Sequence, residues 1–167
     1  MEFVLVSSCL IGSAVRYNGT HKKSEHAIFL RWMKEGRVVA SCPEVAGGMP
    51  VPRAAAEIVG VGGGSGVLLG AASVMDAEGN DVSTAFTHGA RLALRQAQAK
   101  GIRIAVLKED SPSCGSSSIY DGAFSGNRVA GRGVTTALLE SAGVRVFSET
   151  QWVEADAFLC SLETSEQ

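Results

Sequence analysis

Three of the four cysteines stand in the same kind of setting. Cys9 follows the apolar run Glu2–Ser7, Cys42 follows Arg37–Ser41, and Cys114 follows Ile102–Leu107 after a short polar loop. Each lies among glycine, proline or serine: Ser8-Cys9-Leu10-Ile11-Gly12, Cys42-Pro43-Glu44, and Ser111-Pro112-Ser113-Cys114-Gly115. A short β-rich apolar run broken by such residues reads as a buried strand that delivers a loop. If those strands are parallel, their carboxyl ends share one rim, and three distant thiols can converge on one crevice. Three thiolates without an obvious fourth partner suit an iron–sulfur cluster, in which full ligation usually takes four cysteines. The iron left without a protein ligand would be a Lewis acid open to substrate. Two other readings stay open. Zinc is one, although its frameworks usually carry closely spaced ligand pairs and the chain has no C-x-x-C. Simple packing is the other, because free cysteine is among the most buried residue types. Cys160, beside Leu159 near the end of the chain, reads as packing.

Other reactive side chains cluster around the same loops. Glu44 is two residues after Cys42, and Ser111 is three before Cys114, so both fall near whatever the thiols hold. A carboxylate there can take a proton from attacking water, and a hydroxyl can bind a ring or relay a proton. Lys108, Arg53 and Ser113 are the candidates for orienting a substrate. The glycine run Gly60 to Gly66 fits neither G-x-G-x-x-G nor the P-loop, and reads as a hairpin tip. Gly131-Arg132-Gly133 before a helix reads as an anion site made of free backbone N–H groups, or as a lid. His21, His26 and His88 share no metal spacing.

The elements that must position these groups follow from periodicity. Strands are expected at Glu2–Ser7, Arg37–Ser41, Ile102–Leu107 and Val144–Phe147. Short extra strands are expected at Ala56–Val59 and Gly66–Leu69. Helices are expected from Ser24 to Lys34, Asp81 to Lys100 and Val134 to Ala142. A terminal helix after Thr150 should carry Trp152, Val153, Phe158 and Leu159 on its apolar side. Strands separated by helices at this spacing imply a parallel sheet covered on both faces. The expected fold is α/β: one three-layer domain spanning 1–167, with a mostly parallel sheet, Rossmann-like in outline.

The totals narrow the function. The chain has 167 residues, enough for one domain with a real core. A net charge of −2 without a basic block argues against a nucleic-acid footprint. No run is long enough for a membrane span and no signal-peptide pattern is seen, so a cytoplasmic location with reduced thiols is expected.

The loops together resemble the 2-thiouracil desulfurase family. The resemblance rests on Ser8-Cys9-Leu10-Ile11-Gly12 with Arg16-Tyr17-Asn18-Gly19, and on Cys42-Pro43-Glu44 with Gly47-Gly48-Met49 and Pro52-Arg53. It continues through Leu107-Lys108, Ser111-Pro112-Ser113-Cys114-Gly115, Ile119-Tyr120-Asp121-Gly122, Gly131-Arg132-Gly133-Val134 and Ser148-Glu149. The family's Tyr-Asp-Gly is Tyr17-Asn18-Gly19 here, which keeps the turn. The resemblance implies a [4Fe–4S] cluster held by Cys9, Cys42 and Cys114, with Glu44 and Ser111 as catalytic groups. It implies exchange of the sulfur of a free thiopyrimidine for oxygen from water, with the oxo base and hydrogen sulfide as products. The rival expectations are a desulfurase of thionucleosides or tRNA bases, a non-catalytic iron–sulfur or sulfide carrier or sensor, and a redox or zinc protein.

Overall fold

The computed structural model describes residues 1–165. Its centre is a four-stranded sheet of β1 (Val4–Ser7), β2 (Val38–Ser41), β5 (Ile104–Leu107) and β8 (Arg145–Ser148) in the order β2-β1-β5-β8. Every pairing in it is parallel, with Val4 beside Val38 and Ile104, and Ile104 beside Arg145. Strands buried on both faces read as unbroken apolar runs, which is why Val4–Ser7 and Ile104–Leu107 were legible.

Side chains alternate across the sheet. Val4, Val6, Ile104 and Val106 face α2 (Ala27–Lys34) and α7 (Trp152–Thr164), where Phe29, Trp32, Trp152 and Leu159 complete one core layer. Leu5, Ala105 and Leu107 face the other way, onto Ala97 of α5 (Ser83–Ala99) and Leu139 of α6 (Val134–Ser141). The three layers expected from the sequence are therefore present. α1 (Ser8–Ile11) and α3 (Pro43–Ala46) are single turns that follow β1 and β2 directly.

The middle of the chain departs from expectation. β3 (Ala56–Gly60) pairs antiparallel with β4 (Ala72–Asp76), not with Gly66–Leu69. Gly63–Leu68 is the helix α4, so the glycine run is no hairpin tip. Its glycines let backbones meet: a Cβ on Gly64 would strike the carbonyl of Gly133. The polar stretch after Gly126 contains β7 (Arg128–Ala130), paired with β6 (Ser118–Tyr120) in an antiparallel hairpin. Cys160 is exposed, because the buried stripe of α7 runs through Trp152, Ala155 and Leu159 and leaves 160 outside. Val153 is likewise exposed. No helix of the described residues is long and apolar enough to cross a membrane.

Candidate active site

In this sheet β1 lies between β2 and β5, and the chain leaves β1 for one side and later returns on the other. Loops at such a switch point diverge and leave a crevice beyond the strand ends. The three cysteines sit there. Cys9 is the second residue of α1, which follows β1 directly, and Gly12 caps that single helical turn in the left-handed region at φ 116°. Cys42 caps α3, whose Pro43 fixes the first turn. α3 lies hard against α5, since a Cβ on Gly89 would collide with the Pro43 carbonyl. Cys114 comes from the loop after β5. All three thiols line one cavity of about 310 Å³.

Burial governs these thiols. It pushes Cys9 up to about 11, with Cys42 adding to the rise and the cations Lys108 and Arg16 opposing it. It also raises Cys42, against the pull of the Val45 backbone N–H, and raises Cys114, with Glu44 adding to the effect. Such thiols stay protonated and inert unless something with strong positive charge displaces the proton. Among the described residues, no three His, Cys, Asp or Glu groups close on a single metal ion. Three soft sulfur donors spread around one cavity fit a multi-iron group that spans it better than one zinc ion.

Glu44 and Ser111 meet on the same cavity. Ser111 Oγ lies 3.5 Å from Glu44 Oε1. The other carboxylate oxygen, Oε2, is held by Arg53 through Nε at 3.0 Å and through Nη2. Arg53 also donates to the carbonyls of Pro50 and Val15, each at 3.1 Å. Its side chain is only 4% exposed, so its donors are committed to fixing Glu44 and the neighbouring backbone rather than to a substrate. Ser111 Oγ accepts the amides of Ser113 and Cys114 at 3.1 Å each, which leaves its proton free to point at Glu44.

The Cys114 loop is pinned by the start of α6 and by Glu109. Amides of Val134 and Thr135 at the start of α6 donate to the Pro112 and Ser113 carbonyls at 2.8 and 2.9 Å. The N–H groups of Gly133, Val134, Thr135 and Thr136 are therefore spent on this loop rather than left for an anion. Thr136 Oγ1 donates to the Cys114 carbonyl at 3.0 Å. From below, Glu109 accepts the amides of Ser116, Ser117 and Ser118 at 2.7, 3.0 and 3.2 Å, and the hydroxyls of Ser116 and Ser117 as well.

Of the three expected substrate contacts, Lys108 lines the cavity, but its Nζ is paired with Glu149 at 2.7 Å. Ser113 is turned away: it is 1% exposed and its Oγ is bonded to Thr135 Oγ1 at 2.8 Å. Sequence reasoning passed over Arg16, Tyr17, Glu57 and Tyr120 as site residues, yet all four line the cavity. The signal for Glu57 was a lone carboxylate inside the apolar stretch from Ala54 to Val59.

The comparisons with known proteins agree with this geometry. Uncharacterized protein YbbK of Bacillus subtilis (strain 168) is 47% identical over 148 residues, which is 89% of this chain and 96% of that protein. A solved structure titled [4Fe–4S]-dependent thiouracil desulfidase TudS superposes with a TM-score of 0.86 at 46% identity, covering 97% of this chain and 99% of that one. The profile of the 2-thiouracil desulfurase family matches residues 4–151. This chain belongs to the 2-thiouracil desulfurase family.

Proposed function

We propose that the protein removes sulfur from thiolated pyrimidines such as 2-thiouracil, giving the oxo base and hydrogen sulfide. The exchange consumes one water and needs no reductant, because C=S and H₂O become C=O and H₂S. Cys9, Cys42 and Cys114 would hold a [4Fe–4S] cluster, which supplies an iron without a protein ligand as a Lewis acid toward sulfur. The observation that carries this reading is the meeting of those three thiols with the Glu44–Ser111 pair on one cavity.

The chain's own residues supply the rest. Arg53 ties down Oε2 of Glu44 and leaves Oε1 as the oxygen that faces Ser111. Glu44 takes a proton from the water that attacks the ring carbon, and Ser111 holds that water or passes the proton on. The same carboxyl gives its proton to the departing sulfur, and the second water proton follows when the C–OH collapses to C=O, so the carboxylate is ready for the next cycle. Lys108, beside Cys9 and paired with Glu149, adds positive charge where the sulfur arrives. A carrier or sensor would need the thiols but not a carboxylate fixed by a buried arginine. Replacing Glu44 tests this directly: Glu44→Ala should keep its iron and acid-labile sulfide and lose desulfuration. Full activity in that variant would remove Glu44 from the mechanism.

A further inference from the structure

Four carboxylates line the cavity: Glu44, Glu57, Glu109 and Asp110. Three are fully engaged. Glu44 is taken by Arg53 and Ser111, Glu109 by the serine run, and Asp110 by Ser118 on one oxygen and Arg128 on the other. Glu57 differs. It is 8% exposed, and its Oε1 accepts the amides of Gly122 and Phe124 at 3.0 and 3.2 Å. Its Oε2 accepts nothing from the described residues. Among the described residues no buried side-chain oxygen or nitrogen lacks a partner, so Oε2 keeps some accessible surface, and Glu57 lines the cavity.

A carboxylate brought this far out of water needs donors on both oxygens. Of the cavity's cations, Arg53 is committed to Glu44 and Lys108 to Glu149, while Arg16 donates to Thr20 Oγ1 and lies over the Tyr17 ring. None of the three donates to Oε2, which leaves that oxygen able to accept from a ligand. The two N–H groups that flank the C=S bond of 2-thiouracil are donors of the right kind. We propose that Glu57 binds the substrate by accepting a ring N–H of the thiopyrimidine at Oε2. The assignment rests on the thiopyrimidine reading above. It also joins recognition to the β6–β7 hairpin, because the same carboxylate holds Gly122 and Phe124 beyond Tyr120, whose side chain borders the cavity.

Glu57→Gln is the sharp test. The amide oxygen still accepts from Gly122 and Phe124, while the amide nitrogen turns a donor toward a ring edge that offers donors. In the cluster-loaded protein, KM for 2-thiouracil should rise about 10- to 100-fold, with kcat within about threefold, as expected for losing one charge-assisted hydrogen bond. Calorimetric binding of uracil should weaken by a similar factor, while iron, sulfide and far-UV circular dichroism stay as in the wild type. In the wild type, at least one of the 1-methyl and 3-methyl derivatives of 2-thiouracil should lose about tenfold or more in kcat/KM. Glu57→Gln should erase most of that discrimination. KM and uracil affinity within about twofold of wild type would overturn the role of Glu57 and leave the desulfurase reading standing. So would a wild type indifferent to both methylations, an outcome that does not depend on the variant folding. A wild type that neither binds uracil nor converts 2-thiouracil would overturn the substrate reading, and this assignment with it.

Discussion

The chemistry proposed here concentrates on one carboxylate and what holds it. Glu44 is useful as a base only if its free oxygen stays aimed at the cavity, and Arg53 does that with two donors on the opposite oxygen. Glu44→Ala should lower turnover by about 100-fold or more, in line with removal of a positioned general base, with iron content unchanged. Arg53→Lys keeps the charge but not the planar fork. Turnover in that variant should fall about tenfold while uracil binding holds, and comparing kcat with Kd separates this from a substrate contact. These residues differ in how readable they were. Glu44 and Ser111 could be found because each is a few residues from a cysteine. The engagement of Arg53 with Glu44 could not, because the link closes across a loop containing Pro50 and Pro52. Ser113 looked equivalent to Ser111 in sequence, yet the turn sends one hydroxyl to the cavity and the other to Thr135.

At the scale of elements, the Cys114 loop is where local structure controls the site. A Cβ on Gly133 would sit 2.8 Å from the Cys114 amide. Gly133→Ala should shift the loop, and iron bound per chain should drop to about half or less, as close-packed backbones have no room to absorb a methyl group. Glu109 gives this loop a pH dependence. Burial pushes its carboxyl up, but the amides of Ser117, Ser118 and Ser116 and the Ser116 hydroxyl outweigh that and hold it below its ordinary value. A depressed carboxyl stabilises the fold fully above the unfolded-state value and loses that contribution as pH falls through the folded-state value. The Tm gap between wild type and Glu109→Gln should therefore be widest near neutral pH and close on acidification. A gap that is constant with pH would contradict the assignment. The serine run 116–118 gave no sign of this in sequence, since serines after a turn usually mean only a loop. α4 was missed for a related reason. Three of its six residues are glycine, which disfavours a helix, and what sustains it is close backbone packing against Gly133.

For the molecule as a whole, three stretches 33 and 72 residues apart reach one cavity only because β2, β1 and β5 are neighbours. That much was legible: unbroken apolar runs mark strands buried on both faces, and parallel strands put their carboxyl ends together. Strand order was not, because nothing in the runs themselves records which neighbours pair. The β6–β7 hairpin was also invisible, since Arg128–Ala130 is exposed throughout and carries no alternation. The layer of α2 and α7 holds Trp32, the largest fully buried side chain among the described residues. Trp32 is fully buried and meets Trp152 edge-on at 5.7 Å, so Trp32→Ala should cost about 3–5 kcal/mol in urea unfolding. On the proposed function, the fold assembles three thiols into a holder for a [4Fe–4S] cluster at the site of desulfuration. The most direct test is the iron and acid-labile sulfide content of anaerobically reconstituted protein, measured beside its turnover of 2-thiouracil. About four of each per chain are expected, with turnover that tracks them, and both should be lost when Cys9, Cys42 and Cys114 are replaced by serine. Stoichiometric zinc, or turnover that persists in protein free of iron, would contradict it.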